Sequence, residues 1–223
     1  RLTKDFLNDP VRVSVNPPAS TVEKIDQRVL FVDRENKGAL LESVLQNESI
    51  EKALVFARTK HGANRIVKNL GRARIKADAI HGNKSQSARM EALKRFRAGK
   101  VQVLVATDIA SRGLDVEGIT HVINYELPNE AESYVHRVGR TARAGAVGVA
   151  LSFCDAGEKG YLRQIEKTIN RTVNVVDDHP YHSESIASKR ASGNSKAGRK
   201  FSSRRYGNHT ASRPSWKPGK NQF

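Results

Sequence analysis

The sequence has 223 residues, a formal net charge of +16 at pH 7 and 38% hydrophobic residues. This length accommodates one domain of roughly 150 residues with extensions, which buries a core without disulfides. The excess of basic residues argues against a neutral metabolic enzyme and indicates a polyanionic partner, most commonly a nucleic acid. The single cysteine, Cys154, excludes an internal disulfide and any metal cluster held by several cysteines.

Membrane and metal signals are weak throughout the sequence. The longest apolar run, residues 146–154, is far too short to span a bilayer, and residues 1–20 lack the charged-then-apolar pattern of a signal peptide. We therefore expect a cytoplasmic protein without membrane contact. His61, His81 and His121 have no partner at metal-ligand spacing, so we expect no structural metal.

Residues 1–20 have the pattern of the end of a preceding domain and a linker. A short amphipathic piece stops at Asn8, Asp9 and Pro10, an alternating valine strand follows, and Pro17 and Pro18 close the segment. Position 1 is not a methionine. We expect the chain to be part of a longer protein.

Residues 21–173 alternate between short β-branched runs and helical periods. The predicted strands are residues 25–32, 52–57, 77–81, 102–106, 121–125 and 148–153. This alternation predicts an α/β domain whose mostly parallel sheet is flanked by helices on both faces. Residues 85–99 are predicted to form a helix with Asn83 or Ser85 as N-cap, Gly99 as its stop, and Met90, Leu93 and Phe96 in the core.

Residues 174–223 are predicted to be a disordered, basic, RNA-binding tail. Residues 181–223 hold ten Lys or Arg and one acid, Glu184, and lack a hydrophobic period. Phe201, Tyr206 and Trp216 alternate with basic residues, a pattern that suits base stacking and contact with phosphates. A basic extension without function is the alternative.

The segment from residue 134 to 145 carries four basic residues close together. On a helix with about 100° per residue, His136, Arg140 and Arg143 would lie within an arc of roughly 60°, and Arg137 about 100° from His136. Cationic groups this close repel one another unless an anion lies among them, and phosphate matches planar guanidinium groups. A solvated basic helix face is the alternative, and the glycines at 139 and 145 weaken the assumption of a helix.

Polar residues follow three of the predicted strands, where ligands of parallel sheets bind. After strand 102–106, Asp115 could accept hydrogen bonds from ribose, and Thr107 or backbone amides could bind phosphate near the flexible Gly113. A simple strand-to-turn junction is the alternative there. Other residues of the types that a phosphodiester track needs follow strands 52–57 and 77–81, and they are Arg58, Thr59, Gly82, Gln86 and Arg89.

Together these segments resemble the DEAD-box RNA helicase family over roughly residues 1–173. Residues 136–143 resemble motif VI, residues 106–115 resemble motif V, and residues 54–60 with Gln86 and Arg89 resemble motifs IV and IVa. The sequence is most similar to the bacterial RhlE-like subgroup. Ala142 replaces the glycine that is more common at its place in motif VI, and this small change does not threaten the assignment to the family.

The resemblance implies that residues 21–173 form a helicase C-terminal RecA-like domain. Arg140 and Arg143 would be arginine fingers that reach the γ-phosphate of ATP held by a second domain, and His136 would couple the cleft to that domain. The nucleotide would also be bound by Asp115, Gly113 and Arg137. The RNA backbone would be contacted by Arg58, Thr59, Gly82, Gln86, Arg89 and Thr107.

The sequence contains no GxxxxGK[ST] loop, no Asp-Glu-Ala-Asp motif and no Ser-Ala-Thr motif. We therefore expect ATP with Mg²⁺ to be bound mainly by an N-terminal RecA-like domain of the same protein, and the 223-residue chain alone to be inactive. The expected substrate is RNA, structured or ribosomal, which is unwound locally. Two alternatives stay open: a DNA-directed helicase of the same superfamily, and a non-enzymatic RNA-binding or annealing module.

Overall fold

Seven parallel strands form one sheet in the computed structural model, which describes residues 25–46, 50–111, 116–142 and 148–191. The strands are β1 (Ile25–Phe31), β2 (Ala53–Phe56), β3 (Ala77–Ile80), β4 (Val103–Ala106), β5 (His121–Asn124), β6 (Gly148–Cys154) and β7 (Asn174–Val175). Their order across the sheet is β3-β4-β2-β5-β6-β1-β7. Each predicted strand is confirmed with its ends within one residue of the expected positions. The two-residue β7 was not predicted, because it is too short to show an alternating pattern.

Helices cover both faces of this sheet, as predicted. They are α1 (Lys37–Leu45), α2 (Lys60–Arg72), α3 (Gln86–Arg97), α4 (Asp108–Ser111), α5 (Ala131–Val138), α6 (Lys159–Thr168) and α7 (Glu184–Ala191). Helices α1 and α2 pack against one face, with Val55 of β2, whereas α3 packs against the other face with Leu54 and Phe56. Helices α5, α6 and α7 also cover that second face. Because β2 is buried on both sides, its sequence is apolar throughout rather than alternating.

Helix α3 confirms the predicted caps and corrects the predicted core stripe. The Ser85 side chain accepts a hydrogen bond from the Ala88 amide at 3.2 Å, and Gly99 adopts a φ of +68° just past the helix end. Phe96 is fully buried, but Met90 is 54% exposed, so its assignment to the core was wrong. The buried positions of α3 are Ala92 and Phe96, one turn apart, and this stripe is too narrow to include Met90.

The folded part of the chain extends past residue 173, where the disordered tail was expected to begin. Strand β7 pairs with β1, and His182 forms an antiparallel bridge with Val32. Ile186 of α7 is 3% exposed and packs in the core against β1. Residues 174–191 are thus part of the domain, and the rest of the predicted tail lies outside the described residues.

The described helices include none that is long and apolar enough to cross a membrane. Within the same residues, no group of three or more His, Cys, Asp or Glu side chains is arranged to hold a metal ion. Cys154 is a buried free thiol, and burial, as the largest cause, raises its pKa to about 12. It therefore behaves as a small apolar side chain of the core rather than as a nucleophile.

Candidate functional site at the carboxyl edge of the sheet

The expected RNA-binding residues come together at one edge of the sheet. Arg58 and Thr59 follow β2, Gly82 follows β3, and Thr107 follows β4. Since these strands are parallel neighbours in the order β3-β4-β2, their carboxyl ends lie side by side. The fold thus brings residues 58, 59, 82 and 107 into one continuous strip.

The loop after β2 is fixed by contacts from both of its residues. The Thr59 hydroxyl accepts a hydrogen bond from the Gly62 amide at 3.0 Å and so caps α2. The Arg58 amide donates to the Glu126 carboxylate at 2.8 Å, and the Arg58 guanidinium forms an ion pair with Glu158. This guanidinium also lies over the Tyr161 ring, 5.5 Å from its centroid. Both expected RNA-contact residues are therefore held by the fold before any ligand arrives.

A buried histidine supports the loop that carries Gly82. His81 is 2% exposed, and its Nε2 lies 2.9 Å from Asn64 Oδ1. Burial, with additional repulsion from nearby Lys84 and Lys60, lowers the pKa of His81. The ring is thus favoured in its neutral form. Its contact with Asn64, which lies on α2, anchors the loop at the end of β3. No atom within 4 Å would hinder a Cβ at Gly82, so the surface there is open.

Gln86 and Arg89 lie on the first turn of α3, beside the loop after β4. The Arg89 guanidinium donates to Gln86 Oε1 at 3.4 Å and to the Ala110 carbonyl of α4 at 3.5 Å. Thr107 Oγ1 has no described partner, whereas its carbonyl accepts from the Ala110 amide at 3.1 Å. Three of the expected RNA-contact residues are therefore adjacent around α4. Gly113 and Asp115 lie outside the described residues, and their expected contacts with nucleotide stay predictions.

Arg137 lies in the interior, which differs from the nucleotide contact expected for it. Its side chain is 1% exposed, and it donates two hydrogen bonds to the Asp108 carboxylate at 2.6 and 2.7 Å. It also donates to Asn124 Oδ1 at 3.1 Å and to the Glu126 carbonyl at 2.7 Å, and it covers the Phe56 ring at 4.9 Å. The guanidinium is thus engaged by protein groups, so Arg137 ties α5 to the ends of β4 and β5.

Helix α5 ends at Val138, so the predicted helical arc was wrong for Arg140, which lies beyond the helix. Gly139 is the C-cap, and the amides of Arg140 and Thr141 donate to the carbonyls of residues 137 and 138 in a tight turn. His136 is exposed on the last turn of α5, and Arg140 lies two residues beyond the helix end, half-buried. Arg143 lies outside the described residues. His136 and Arg140 therefore do not share a helix face, because the chain leaves the α-helix for a tighter turn before Arg140.

The turn after α5 is fixed by a threonine and a glycine. Thr141 Oγ1 donates to the Ile119 carbonyl at 2.6 Å, and a Cβ on Gly148 would lie 2.6 Å from Thr141 Cγ2. The neighbouring Ala142 has a φ of +54°, a region that glycine enters at little cost. The cost of an alanine at position 142 therefore lies in the backbone conformation rather than in the space that its methyl group fills.

A buried ion-pair network at the carboxyl edge had no signal in the sequence. Lys37 and Glu158 form an ion pair across 121 positions, although each is only 2% exposed. Asp155 adds a second carboxylate, 3.1 Å from Lys37 Nζ. Neither residue stands in a motif or at a helical spacing from the other, so only the pairing of β1 with β6 brings them together.

Comparisons with known sequences agree on one family. The family profile described as "Helicase conserved C-terminal domain" matches residues 36–145. The DEAD-box ATP-dependent RNA helicase CshA of Geobacillus kaustophilus is 42% identical over 171 residues, which is 77% of this chain and 37% of the relative. CshA of Bacillus subtilis is 42% identical over 178 residues, which is 80% of this chain and 36% of the relative. The chain thus spans little more than a third of the length of these relatives.

Comparisons with solved structures match the same architecture. The E. coli DEAD-box protein SrmB, solved bound to regulator of ribonuclease activity A, has a TM-score of 0.69 and 34% identity, over 72% of this chain and 95% of the SrmB chain. S. cerevisiae Dbp5, solved bound to RNA and ADP BeF3, has a TM-score of 0.70 and 26% identity, over 78% of this chain and 47% of Dbp5. The α/β domain therefore has the RecA-like fold of DEAD-box C-terminal domains. The chain belongs to the DEAD-box family, and it contains the helicase C-terminal domain of that family.

Proposed function

We propose that this domain is the C-terminal half of an ATP-dependent RNA helicase that unwinds RNA duplexes locally. The observation that carries the proposal is the single strip at the carboxyl edge, where the loops after β2, β3 and β4 lie side by side. In the DEAD-box resemblance, motifs IV, IVa and V lie along this strip, and motif VI lies on α5 and the turn after it. The strip would therefore face RNA, and the turn after α5 would face a second RecA-like domain.

The catalytic part of the proposal assigns Arg140, Arg143 and His136 to the interface with that second domain. The N-terminal RecA-like domain would bind most of the ATP and its Mg²⁺, with Asp115 and Gly113 adding contacts from this side. Arginine fingers act by neutralising the negative charge that develops on the transferred phosphoryl group, which often raises the rate about 10³-fold or more. The turn held by Thr141 presents Arg140 beyond the end of α5, where a partner domain could reach it.

The RNA part of the proposal assigns backbone contacts to Arg58, Thr59, Gly82, Gln86, Arg89 and Thr107. Arginine, hydroxyl and amide groups on loops suit phosphates and 2′-hydroxyl groups rather than base edges, so we expect little sequence specificity. Structured or ribosomal RNA is the substrate that we propose, with residues 192–223 as a basic tether. Closure of the two domains on RNA would bend one strand and displace its complement.

Two finer assignments belong to the same proposal. We place the protein in the bacterial RhlE-like subgroup on the wording of its motifs, while the relatives described above are CshA helicases. We also propose that it acts in the cytoplasm, because its composition suits a reducing compartment. Fractionation of cells that express the tagged protein at its natural level tests this location, and a membrane or secreted pool would contradict it.

The function is tested by ATP hydrolysis of a joined protein. We would fuse this chain behind the N-terminal RecA-like domain of Bacillus subtilis CshA and measure turnover with single-stranded RNA, with single-stranded DNA of the same sequence, and without nucleic acid. We expect turnover only for the fusion, stimulated by RNA and far less by DNA. Equal stimulation by DNA would favour a DNA-directed helicase, and RNA binding without turnover by the fusion would favour an annealing module.

A further inference from the structure

An open cavity of about 170 Å³ lies next to the expected RNA strip at the carboxyl edge. We call it the cation pocket, and its lining includes Arg34, Arg58, Arg65, Tyr125 and Tyr161. A water molecule takes up about 30 Å³ of the liquid, so the volume of this cavity corresponds to about six waters. A phosphate group with part of its hydration shell fits this space.

The acidic residues of the cation pocket are already engaged within the fold. Glu158 forms ion pairs with Lys37 and Arg58, and it accepts hydrogen bonds from the amides of Leu127 at 3.2 Å and Asp155 at 3.3 Å. Asp155 itself lies 3.1 Å from Lys37. These two carboxylates therefore have little capacity left to attract a cation or to pair with further arginines.

Two arginines of the cation pocket have no such partner. In the part of the chain that the structure describes, Arg34 and Arg65 make no side-chain hydrogen bond or ion pair, and both are exposed. The remaining carboxylate, Glu126, accepts its hydrogen bond from the Arg58 amide. Arginines that share a concave surface without a carboxylate partner repel one another, and an anion between them relieves this repulsion.

The cation pocket continues the expected RNA strip along the sheet. The expected RNA residues follow β3, β4 and β2, whereas the pocket residues follow β2, β5, β6 and β1, which are the next strands in the sheet order. Arg58 belongs to both groups. Neighbouring strands lie about 4.8 Å apart, so the pocket extends the strip by roughly 15 Å, enough for additional nucleotides.

From these observations we infer that the cation pocket binds a backbone phosphate of the RNA strand that crosses Arg58. Arg34 and Arg65 would take the phosphate oxygens, and the tyrosines that line the cavity would offer hydroxyl donors. The inference rests on the proposed RNA-helicase function and adds a contact that none of the motifs contains. It predicts that the RNA site of this domain is longer than the motif residues alone define.

The experiment compares a pocket variant with a charge-matched control. The pocket variant is Arg34→Gln with Arg65→Gln, and the control is Arg72→Gln with Arg171→Gln, two exposed arginines that do not line the pocket. Binding of end-labelled oligouridine of increasing length to the 223-residue chain is followed by fluorescence anisotropy at several salt concentrations. Thermal midpoints of all variants are recorded to confirm that they fold.

We expect the pocket variant to bind long oligouridine about tenfold more weakly, with a salt slope smaller by about 0.7 for each phosphate that it no longer neutralises. On short oligonucleotides it should match the wild type, because these occupy only the motif strip. Arg34→Lys with Arg65→Lys should recover part of the affinity, since the charge remains. Equal decreases in affinity for pocket and control variants at every length would overturn the inference and leave only nonspecific attraction.

Two further arms separate the possible failures. A Gln86→Ala and Arg89→Ala variant tests the motif strip: if its RNA affinity falls while the pocket variant binds normally at every length, the pocket inference fails and the RNA function stands. If the wild type binds no RNA, both fail. Titration with inorganic phosphate tests whether the pocket binds a free anion instead of RNA. If the pocket variant loses phosphate binding but keeps its RNA affinity, the inference is also overturned.

Discussion

Two groups of arginines at the same sheet edge have opposite surroundings. Arg137 is buried, and Asp108, Asn124 and a backbone carbonyl satisfy its guanidinium. Arg34 and Arg65 are exposed and have no ion-pair partner among the described residues. The difference lies in the carboxylates. Asp108, which follows β4, pairs with Arg137, whereas the carboxylates that line the cation pocket are engaged by groups other than Arg34 and Arg65. Basic residues near a site therefore need their partners identified before they are assigned to a ligand.

The largest effect expected from this comparison is that of replacing the buried arginine. Arg137→Met removes four hydrogen bonds, and it takes the guanidinium partner away from the Asp108 carboxylate and from Asn124 Oδ1. Breaking a buried ion pair on one side costs about 3 to 5 kcal/mol, and since Asp108 is 34% exposed, we expect the lower end, roughly 3 kcal/mol of unfolding free energy. Urea denaturation measures it.

The matched control for that change is Arg34→Met. An exposed side chain without a partner contributes within about 0.5 kcal/mol, so this variant should unfold at nearly the wild-type urea concentration. If Arg34→Met destabilised the domain as much as Arg137→Met, the distinction between a structural and a ligand-binding arginine would not hold.

A smaller effect is expected where β6 supports the turn that carries Arg140. The Cβ of Gly148→Ala would lie 2.6 Å from Thr141 Cγ2 and 2.7 Å from the Ala142 amide nitrogen, so the turn must move. Such overpacking costs about 1 to 3 kcal/mol. Gly71→Ala is the control, since nothing lies within 4 Å of its added Cβ, and it should be neutral or stabilise α2 by about 0.5 to 1 kcal/mol. Equal thermal midpoints for both variants would contradict the geometry.

A buried histidine without a hydrogen-bond partner among the described residues should make stability depend on pH. His179 is 8% exposed, and its ring nitrogens have no described hydrogen-bond partner. Burial, followed by repulsion from His182, lowers its pKa from 6.5 to about 4, although Asp177 and Asp178 oppose this shift. The neutral ring is favoured in the folded state, so the contribution to stability is complete above pH 6.5 and is lost as the pH falls towards 4.

Between pH 7 and pH 5 we expect His179 to account for a decrease on the order of 1 to 2 kcal/mol in unfolding free energy. Denaturation of His179→Asn at both values should show a smaller decrease than the wild type. The exposed His61→Asn should leave the decrease unchanged. A steeper pH dependence in His179→Asn would show that the sign of the shift is wrong.

The smallest expected effect concerns Ala142. Its φ of +54° strains an alanine but not a glycine, so Ala142→Gly should raise the unfolding free energy by up to about 1 kcal/mol. Ala63→Gly, at a helical position in α2, should lower it by a similar amount. Thermal melts of the two variants measure both changes in stability. Destabilisation by both substitutions would contradict the positive φ of Ala142.

The strands and most helices were predictable because burial imposes regular patterns on them. β2 is buried on both faces and is apolar throughout, and Ser85 and Gly99 mark the ends of α3 with local chemistry. Interactions between distant residues left no such mark: Glu158 reaches Lys37 across 121 positions, and only the assembled sheet shows it. For the same reason, the sequence could not show that Arg137 has a carboxylate partner.

Two local predictions were wrong, because a helix ended earlier, or buried fewer positions, than the sequence pattern suggested. The helical arc of His136 and Arg140 assumed that α5 continues, but Gly139 ends it. The spacing of Met90, Leu93 and Phe96 by three residues suggested that all three lie in the core, whereas the buried positions of α3 are Ala92 and Phe96. The catalytic and RNA assignments themselves come from the family resemblance, and they stay predictions until binding and turnover are measured.

The most direct test of the central claim is ATP turnover by the fusion with the CshA N-terminal domain, with Arg140→Ala beside Arg72→Ala. If Arg140 completes an ATP site between two domains, RNA-stimulated kcat should fall on the order of 10³-fold for Arg140→Ala and stay unchanged for Arg72→Ala, while both variants remain folded. Full RNA-stimulated turnover by the folded Arg140→Ala fusion would contradict this account of the site.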